Sequence, residues 1–224
     1  MSTTREQLLD IYRTLLDFFG PQHWWPGETP FEVAVGAILT QNTSWSNVER
    51  AIASLKAAGC LDTARLHEID TAELEKLIRP TGYFRVKAKR LKNFIHWLCD
   101  EYGGDLRNLE AISTTRLRAE LLSISGIGPE TADSILLYAL NRPIFVVDTY
   151  TARVMVRHGL IDPEGLDYHQ LHDLFMSNLE PDAALFNEFH ALLVMTGKDY
   201  CKPNPRCAPC PLDRLPHTTE VEQV

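Results

Sequence analysis

No stretch of this chain approaches the ~20 consecutive apolar residues that a membrane-spanning helix needs. The opening MSTTREQLLD also lacks the apolar core of an export signal. The protein is therefore expected inside the cell, in the cytoplasm or on the nucleoid if bacterial, with no membrane partner. Cysteine is scarce and odd in number, five in 224 residues, which without an export signal argues against a disulfide framework. Strand-like sequence is nearly missing: PIFVV, residues 143–147, is the one short candidate. Repeats and low-complexity linkers are not evident. Positive charge does not predominate either. Thirty Asp and Glu against 22 Lys and Arg leave a net charge of −8, which taken alone argues against a polyanionic partner.

What is there reads as helix almost throughout. Thr3 and Glu6 form a capping box ahead of apolar residues at helical spacing up to Gly20. Ser46 with Glu49 marks a second start, closed at Gly59, and Asp70 with Glu73 a third, closed by Pro80 and Gly82. Further helices are expected over Phe31–Thr40, Val86–Tyr102, Thr115–Leu122, Pro129–Leu140, Thr149–His158, Tyr168–Leu179 and Ala183–Thr196. The expectation is an all-α protein of about ten short helices. The proline-rich tail CKPNPRCAPCPLDRLPH is expected to form an irregular loop.

The charge is unevenly spread. RVKAKRLK carries Arg85, Lys87, Lys89, Arg90 and Lys92 without an acid, so a net-acidic chain can still present a basic face. A merely solvated helix face is the other reading.

In LLSISGIGPETADSILLYAL a helical pattern is broken by Gly126 and Gly128 around Ile127, and Pro129 suits the next first turn. Two glycines let a backbone approach something closely while the isoleucine anchors the turn. The N–H groups of such a turn can hold a phosphate without reading sequence. A tight helix connection with no ligand is the plainer alternative. Asp148 follows in FVVDTYTARV, where an aspartate is also a good N-cap.

Together these segments resemble the helix-hairpin-helix and following aspartate loop of the endonuclease III superfamily of DNA glycosylases. The resemblance runs from about Phe31 to Cys210 and includes AILTQNTSW and GYFRVKAKRL. It implies a two-lobed helical glycosylase fold with a helix-hairpin-helix and a Cys-bearing C-terminal loop. Residues 29–140 are expected to form the middle lobe, and residues 1–28 with 141–224 the terminal one. It implies base excision on double-stranded DNA containing a damaged base. Asp148 becomes the catalytic carboxylate, able to stabilise cationic character on the sugar and to orient or deprotonate water. Gly126, Ile127, Gly128 and Thr131 become the phosphate grip. Gln41 and Asn42 fall where such enzymes fill the gap left by the flipped nucleotide, although TQNT could simply cap helix ends. A monomer is expected.

Bifunctional members of the superfamily carry a lysine after the hairpin, where this chain has Glu130. Glutamate cannot form a Schiff base, so a water-using, monofunctional enzyme is expected. Lys198 is the other lysine considered, either as a DNA contact or as an amine for strand cleavage. Trp24, Trp25 and Pro26 in QHWWP, with Trp45 in LTQNTSW, flank one helix. Aromatic faces stack on bases and favour charged ones, as in a purine alkylated on a ring nitrogen, although the same tryptophans could pack an interlobe core. HWWP, TQNT and GIG-x-E are similar to the 3-methyladenine DNA glycosylase III branch. Two rivals stand: an endonuclease III-like oxidised-pyrimidine glycosylase and AP lyase, and a non-catalytic DNA-binding module.

Relatives of endonuclease III often bind a 4Fe–4S cluster through four C-terminal cysteines. Cys201, Cys207 and Cys210 keep three of these positions, and the fourth falls at Pro216. A three-cysteine cluster with water, Asp213 or His217, a zinc site using His217, and a metal-free vestige all remain open. Cys60 and Cys99 read as packing residues.

Overall fold

A computed structural model of the chain describes residues 2–219. Among them are eleven α-helices and no strand. They are α1 (Thr4–Phe19), α2 (Pro30–Leu39), α3 (Trp45–Ala57), α4 (Thr63–Glu68), α5 (Thr71–Leu77), α6 (Phe84–Tyr102), α7 (Thr114–Ser123), α8 (Pro129–Ser134), α9 (Thr149–Arg157), α10 (Tyr168–Met176) and α11 (Ala183–Asp199). The described residues up to Trp24 join those from Pro143 onward in a terminal unit, and Trp25–Arg142 form a middle unit. The divides lie a few residues from 28 and 140. Gly27 lies against Val33 of α2, and Arg142 donates to the Leu109 and Glu110 carbonyls at 3.0 and 2.8 Å, which ties both to the middle unit.

In the terminal unit, α1 starts on the reciprocal capping box of Thr3 and Glu6 and buries Leu8, Ile11 and Leu15. The α9 and α11 helices pack tightly: a Cβ on Gly197 would lie 2.6 Å from the Tyr150 Cβ. Residues 144–147 of PIFVV are all buried and form no strand. They run through the core with no partner strand. Phe145 stacks on Phe175 at 3.8 Å and meets Phe186 edge-on at 5.3 Å. Truncating such a ring costs about 3–5 kcal/mol.

In the middle unit, α2 is buried from Glu32 to Leu39, as befits a helix apolar on every side. Its one acid, Glu32, pairs with Lys56 of α3 at 2.9 Å. Hairpin helices α7 and α8 are clamped by Arg118, whose guanidinium donates to both oxygens of the fully buried Asp133 at 2.7 and 3.0 Å. Beyond α8 the chain widens into a π turn over Ile135–Ala139.

Two expected starts shift. The N-cap position of α3 is Ser44, whose side chain makes no capping bond, because the chain already turns helical at Trp45; Ser46 and Glu49 lie inside the helix. The α6 helix starts two residues early, on Tyr83 in the left-handed region at φ 44°. The short α4, capped by Asp62 Oδ1 on the Arg65 amide at 2.8 Å, is additional.

The basic run of α6 is largely not a surface. Arg85 and Lys89 are exposed, but Lys87 is 2% exposed and donates to the Leu39 and Thr81 carbonyls at 2.9 and 2.7 Å. Burial, and then the nearby Arg90 charge, lower the Lys87 ammonium to about 8. Lys92 donates to the His67 and Ile69 carbonyls, and Arg90 turns toward the hairpin.

Candidate active site

The hairpin turn of the middle unit is held from three sides. Gly126 sits at φ +99°, a conformation that L side chains rarely adopt. The Arg90 side chain lies directly over it, so a Cβ there would come 2.2 Å from Arg90 Cγ. Asn93 donates to the Ser125 carbonyl at 2.8 Å. Gln41 Nε2 donates to the Gly126 carbonyl at 3.1 Å and to Thr131 Oγ1 at 2.9 Å, while Arg90 Nη1 donates to Gln41 Oε1. Gln41 thus joins the loop after α2 to the hairpin. Thr131 is 6% exposed and Ile127 5%, so their side chains anchor the turn from within. Gly128 is exposed, and a Cβ there would meet no atom within 4 Å. Asn42 is exposed at φ 52°. Glu130 is exposed in the first turn of α8.

Three aromatic rings of the middle unit gather over α2. Trp25 meets Trp45 edge-on and Tyr138 at a tilt, both at 5.1 Å between ring centres. Gly36 provides the floor: a Cβ there would touch Trp25 Nε1 at 3.4 Å and Trp45 at 3.7 Å. All three rings are half-buried, and Pro26 is exposed. Trp24 does not join them within that unit; it belongs to the terminal unit, where the exposed Lys198 ammonium lies 5.8 Å above its ring centre.

Asp148, also in the terminal unit, caps α9. Its Oδ1 accepts from the Thr151 amide at 2.8 Å and the Thr151 hydroxyl at 2.9 Å. That leaves Oδ2 for other work, and it faces His190 Nε2 of α11 at 3.7 Å. Burial alone would raise this carboxyl; His190, by hydrogen bonding and charge, and then Thr151 more than offset it, holding Asp148 below the usual aspartate range. A carboxylate kept ionised with one oxygen uncommitted by the cap can stabilise positive charge or take a proton from water.

Sequence reasoning missed His190 and Tyr138, and read Arg90 only as one cation of a basic run. His190 is 5% exposed within NEFHALL, and a lone histidine in an otherwise apolar stretch was the available signal.

The loop after α11 brings Cys201, Cys207 and Cys210 to one cavity with Asp213 and His217. Cys201 Sγ accepts from Arg157 Nη1 at 3.3 Å, and the same guanidinium binds the Lys202 and Pro203 carbonyls at 2.7 and 3.1 Å. A four-thiolate iron–sulfur cluster does not fit this donor set. Position 216 is a proline, and its carbonyl is already engaged by His158 Nδ1 at 3.0 Å.

No helix among the described residues is long and apolar enough to cross a membrane. Comparison with known proteins agrees with the geometry. The family described as HhH-GPD superfamily base excision DNA repair protein matches residues 35–181. MJ1434 of Methanocaldococcus jannaschii, provisionally named a DNA repair glycosylase, is 48% identical over 212 residues, 92% of this chain and 94% of that protein. The crystal structure of the H. pylori 3-methyladenine DNA glycosylase MagIII, bound to 1,N6-ethenoadenine, is similar with a TM-score of 0.74 at 29% identity, covering 88% of this chain and 98% of that one. An endonuclease III structure solved with DNA shares the fold, with a TM-score of 0.80 at 22% identity over 98% of both chains. The chain belongs to the HhH-GPD superfamily of base excision DNA repair proteins and is a DNA N-glycosylase of the endonuclease III fold.

Proposed function

We propose that the enzyme is monofunctional, using water rather than an amine to release an alkylated purine such as 3-methyladenine from double-stranded DNA. The observation that carries the reading is an Asp148 carboxylate whose Oδ2 faces His190 Nε2 at 3.7 Å, in a chain whose Glu130 stands where the resemblance to bifunctional members would put lysine. The substrate class is supported by the half-buried rings of Trp25, Trp45 and Tyr138, whose faces attract a flat, cationic base, and by the likeness to an enzyme named for 3-methyladenine.

In this mechanism the hairpin and Gly128 meet a phosphate, the exposed Asn42 enters the vacated stack together with Gln41, which must exchange its hairpin bonds for the DNA, and the damaged base leaves the duplex. The bond from C1′ to the base nitrogen breaks, and its electron pair departs with the base. A base that is cationic while attached leaves neutral, so no general acid is required. Water oxygen bonds to C1′ and its surplus proton passes to Asp148 and on to solvent. His190 acts through Asp148, holding the carboxylate's orientation and charge. Lys198, resting over Trp24, serves as a DNA contact.

The test is release of bases from randomly methylated duplex DNA, separated by chromatography, with a parallel borohydride reaction on abasic DNA. The expected result is a released alkylpurine, strands that break only after alkali, and no covalent adduct. An adduct lost on Lys198→Ala would overturn monofunctional chemistry. Release confined to oxidised pyrimidines would overturn the substrate class, and binding without release of any base would make the chain a recognition module.

A further inference from the structure

We propose that the loop after α11 binds one zinc-class divalent ion through Cys207, Asp213 and His217, with Cys210 completing the set. This replaces the four-thiolate cluster that the fold family implies. The ligand atoms of Cys207, Asp213 and His217 all lie within 4.8 Å of one another. Tetrahedral ligands at about 2.0–2.3 Å from zinc stand roughly 3.3–3.8 Å apart, so small side-chain adjustments close the site.

His217 is prepared for ligation. Its Nδ1 binds the Leu215 carbonyl at 2.9 Å, which makes Nδ1 the protonated nitrogen and leaves the Nε2 lone pair available. A backbone carbonyl on the far ring nitrogen is the usual way a ligating imidazole is oriented. Nε2 in turn faces Asp213 Oδ1 at 3.8 Å. The neighbouring Pro216 carbonyl is held by His158 Nδ1, and the His158 and His217 rings lie 5.6 Å apart, so the backbone entering His217 is fixed.

Cys210 lies on the same turn as Cys207, its amide donating to the Cys207 carbonyl at 2.7 Å, and both thiols line the cavity. Cys201 is already engaged: it is buried and accepts from Arg157, which roots the loop on α9. A mixed sulfur, nitrogen and oxygen set suits zinc better than an iron–sulfur cluster.

The test is metal and acid-labile sulfide analysis of the full-length protein, followed by chelation and titration with zinc against a competing chelator. Cobalt substitution reports thiolate ligation through its charge-transfer absorption. The expected result is about one zinc per chain, no labile sulfide, and at least a tenfold loss of zinc affinity in His217→Ala and in the conservative Asp213→Asn. Iron with stoichiometric sulfide would overturn the proposal, as would failure of the folded wild type to bind zinc or unchanged affinity in both variants. These readouts are independent of base release.

Discussion

Asp148 Oδ2 faces His190 Nε2 across 3.7 Å, while the other oxygen of the same carboxylate is taken up by the Thr151 amide and hydroxyl. One residue therefore starts a helix with one oxygen and presents the other to a histidine, the oxygen to which the proposed chemistry is assigned. The two roles can be separated by substitution.

In Asp148→Asn the side-chain oxygen that caps α9 survives, and asparagine caps about as well as aspartate. Thermal unfolding should move by only a few degrees. Base release should fall at least ~100-fold, the low end for a lost general base. Single-turnover excision alongside calorimetry checks this; turnover near the wild-type rate would remove Asp148 from the mechanism.

The acid limb of excision should lie below the ordinary aspartate range near about 3.9, because the folded environment lowers Asp148. A depressed carboxyl stabilises the fold above its unfolded value, and that stability is lost as pH falls through the lowered folded value. His190→Leu removes the largest stabilising influence on the charge, so its acid limb should shift toward higher pH. A pH–rate profile identical to wild type in that variant would deny His190 its positioning role.

Gly126 and Gly128 should respond differently to alanine. Gly126→Ala adds a positive-φ penalty and drives a methyl into Arg90, a strain of about 1–3 kcal/mol that should loosen the hairpin and weaken DNA binding. Gly128→Ala, at φ −92° with open space around the added carbon, should fold normally. Denaturant midpoints and binding to abasic-analogue duplex measure both; equal destabilisation would contradict this account of the turn.

Trp45→Ala should leave duplex affinity nearly intact and reduce kcat/KM for alkylated bases. Stacking a base on an aromatic ring is worth about 1–3 kcal/mol, which corresponds to roughly 5–150-fold. The loss should be smaller for a neutral lesion than for a cationic one. An equal loss for both would mean that the rings recognise flatness without charge.

Local signals carried much of the fold. Capping signals, apolar spacing and the glycine-proline break place α1, α7, the hairpin and the start of α5 within a residue or two, because their causes lie within one turn of chain. The basic run of α6 was the harder case. Lys87 ends on a carbonyl 48 residues away and Arg90 on a side chain 49 residues away, and no local pattern encodes such partners. PIFVV misled for a related reason: uninterrupted β-branched and aromatic residues mark burial, and burial here comes from helices. At the candidate site the capping role of Asp148 was legible locally, whereas His190, 42 residues further on, was visible only as an oddity in an apolar stretch.

The inward turn of the α6 cations sets a limit on how this helix responds to ionic strength. Each phosphate neutralised on duplex DNA contributes a slope of about −0.9 to log K against log salt. A cation already bound to protein carbonyls does not reach a phosphate, so it releases no counterion from the DNA. Of Arg85, Lys87, Lys89, Arg90 and Lys92, only Arg85 and Lys89 are exposed, so this segment can add at most about −2 to that slope where its composition would imply more than twice as much.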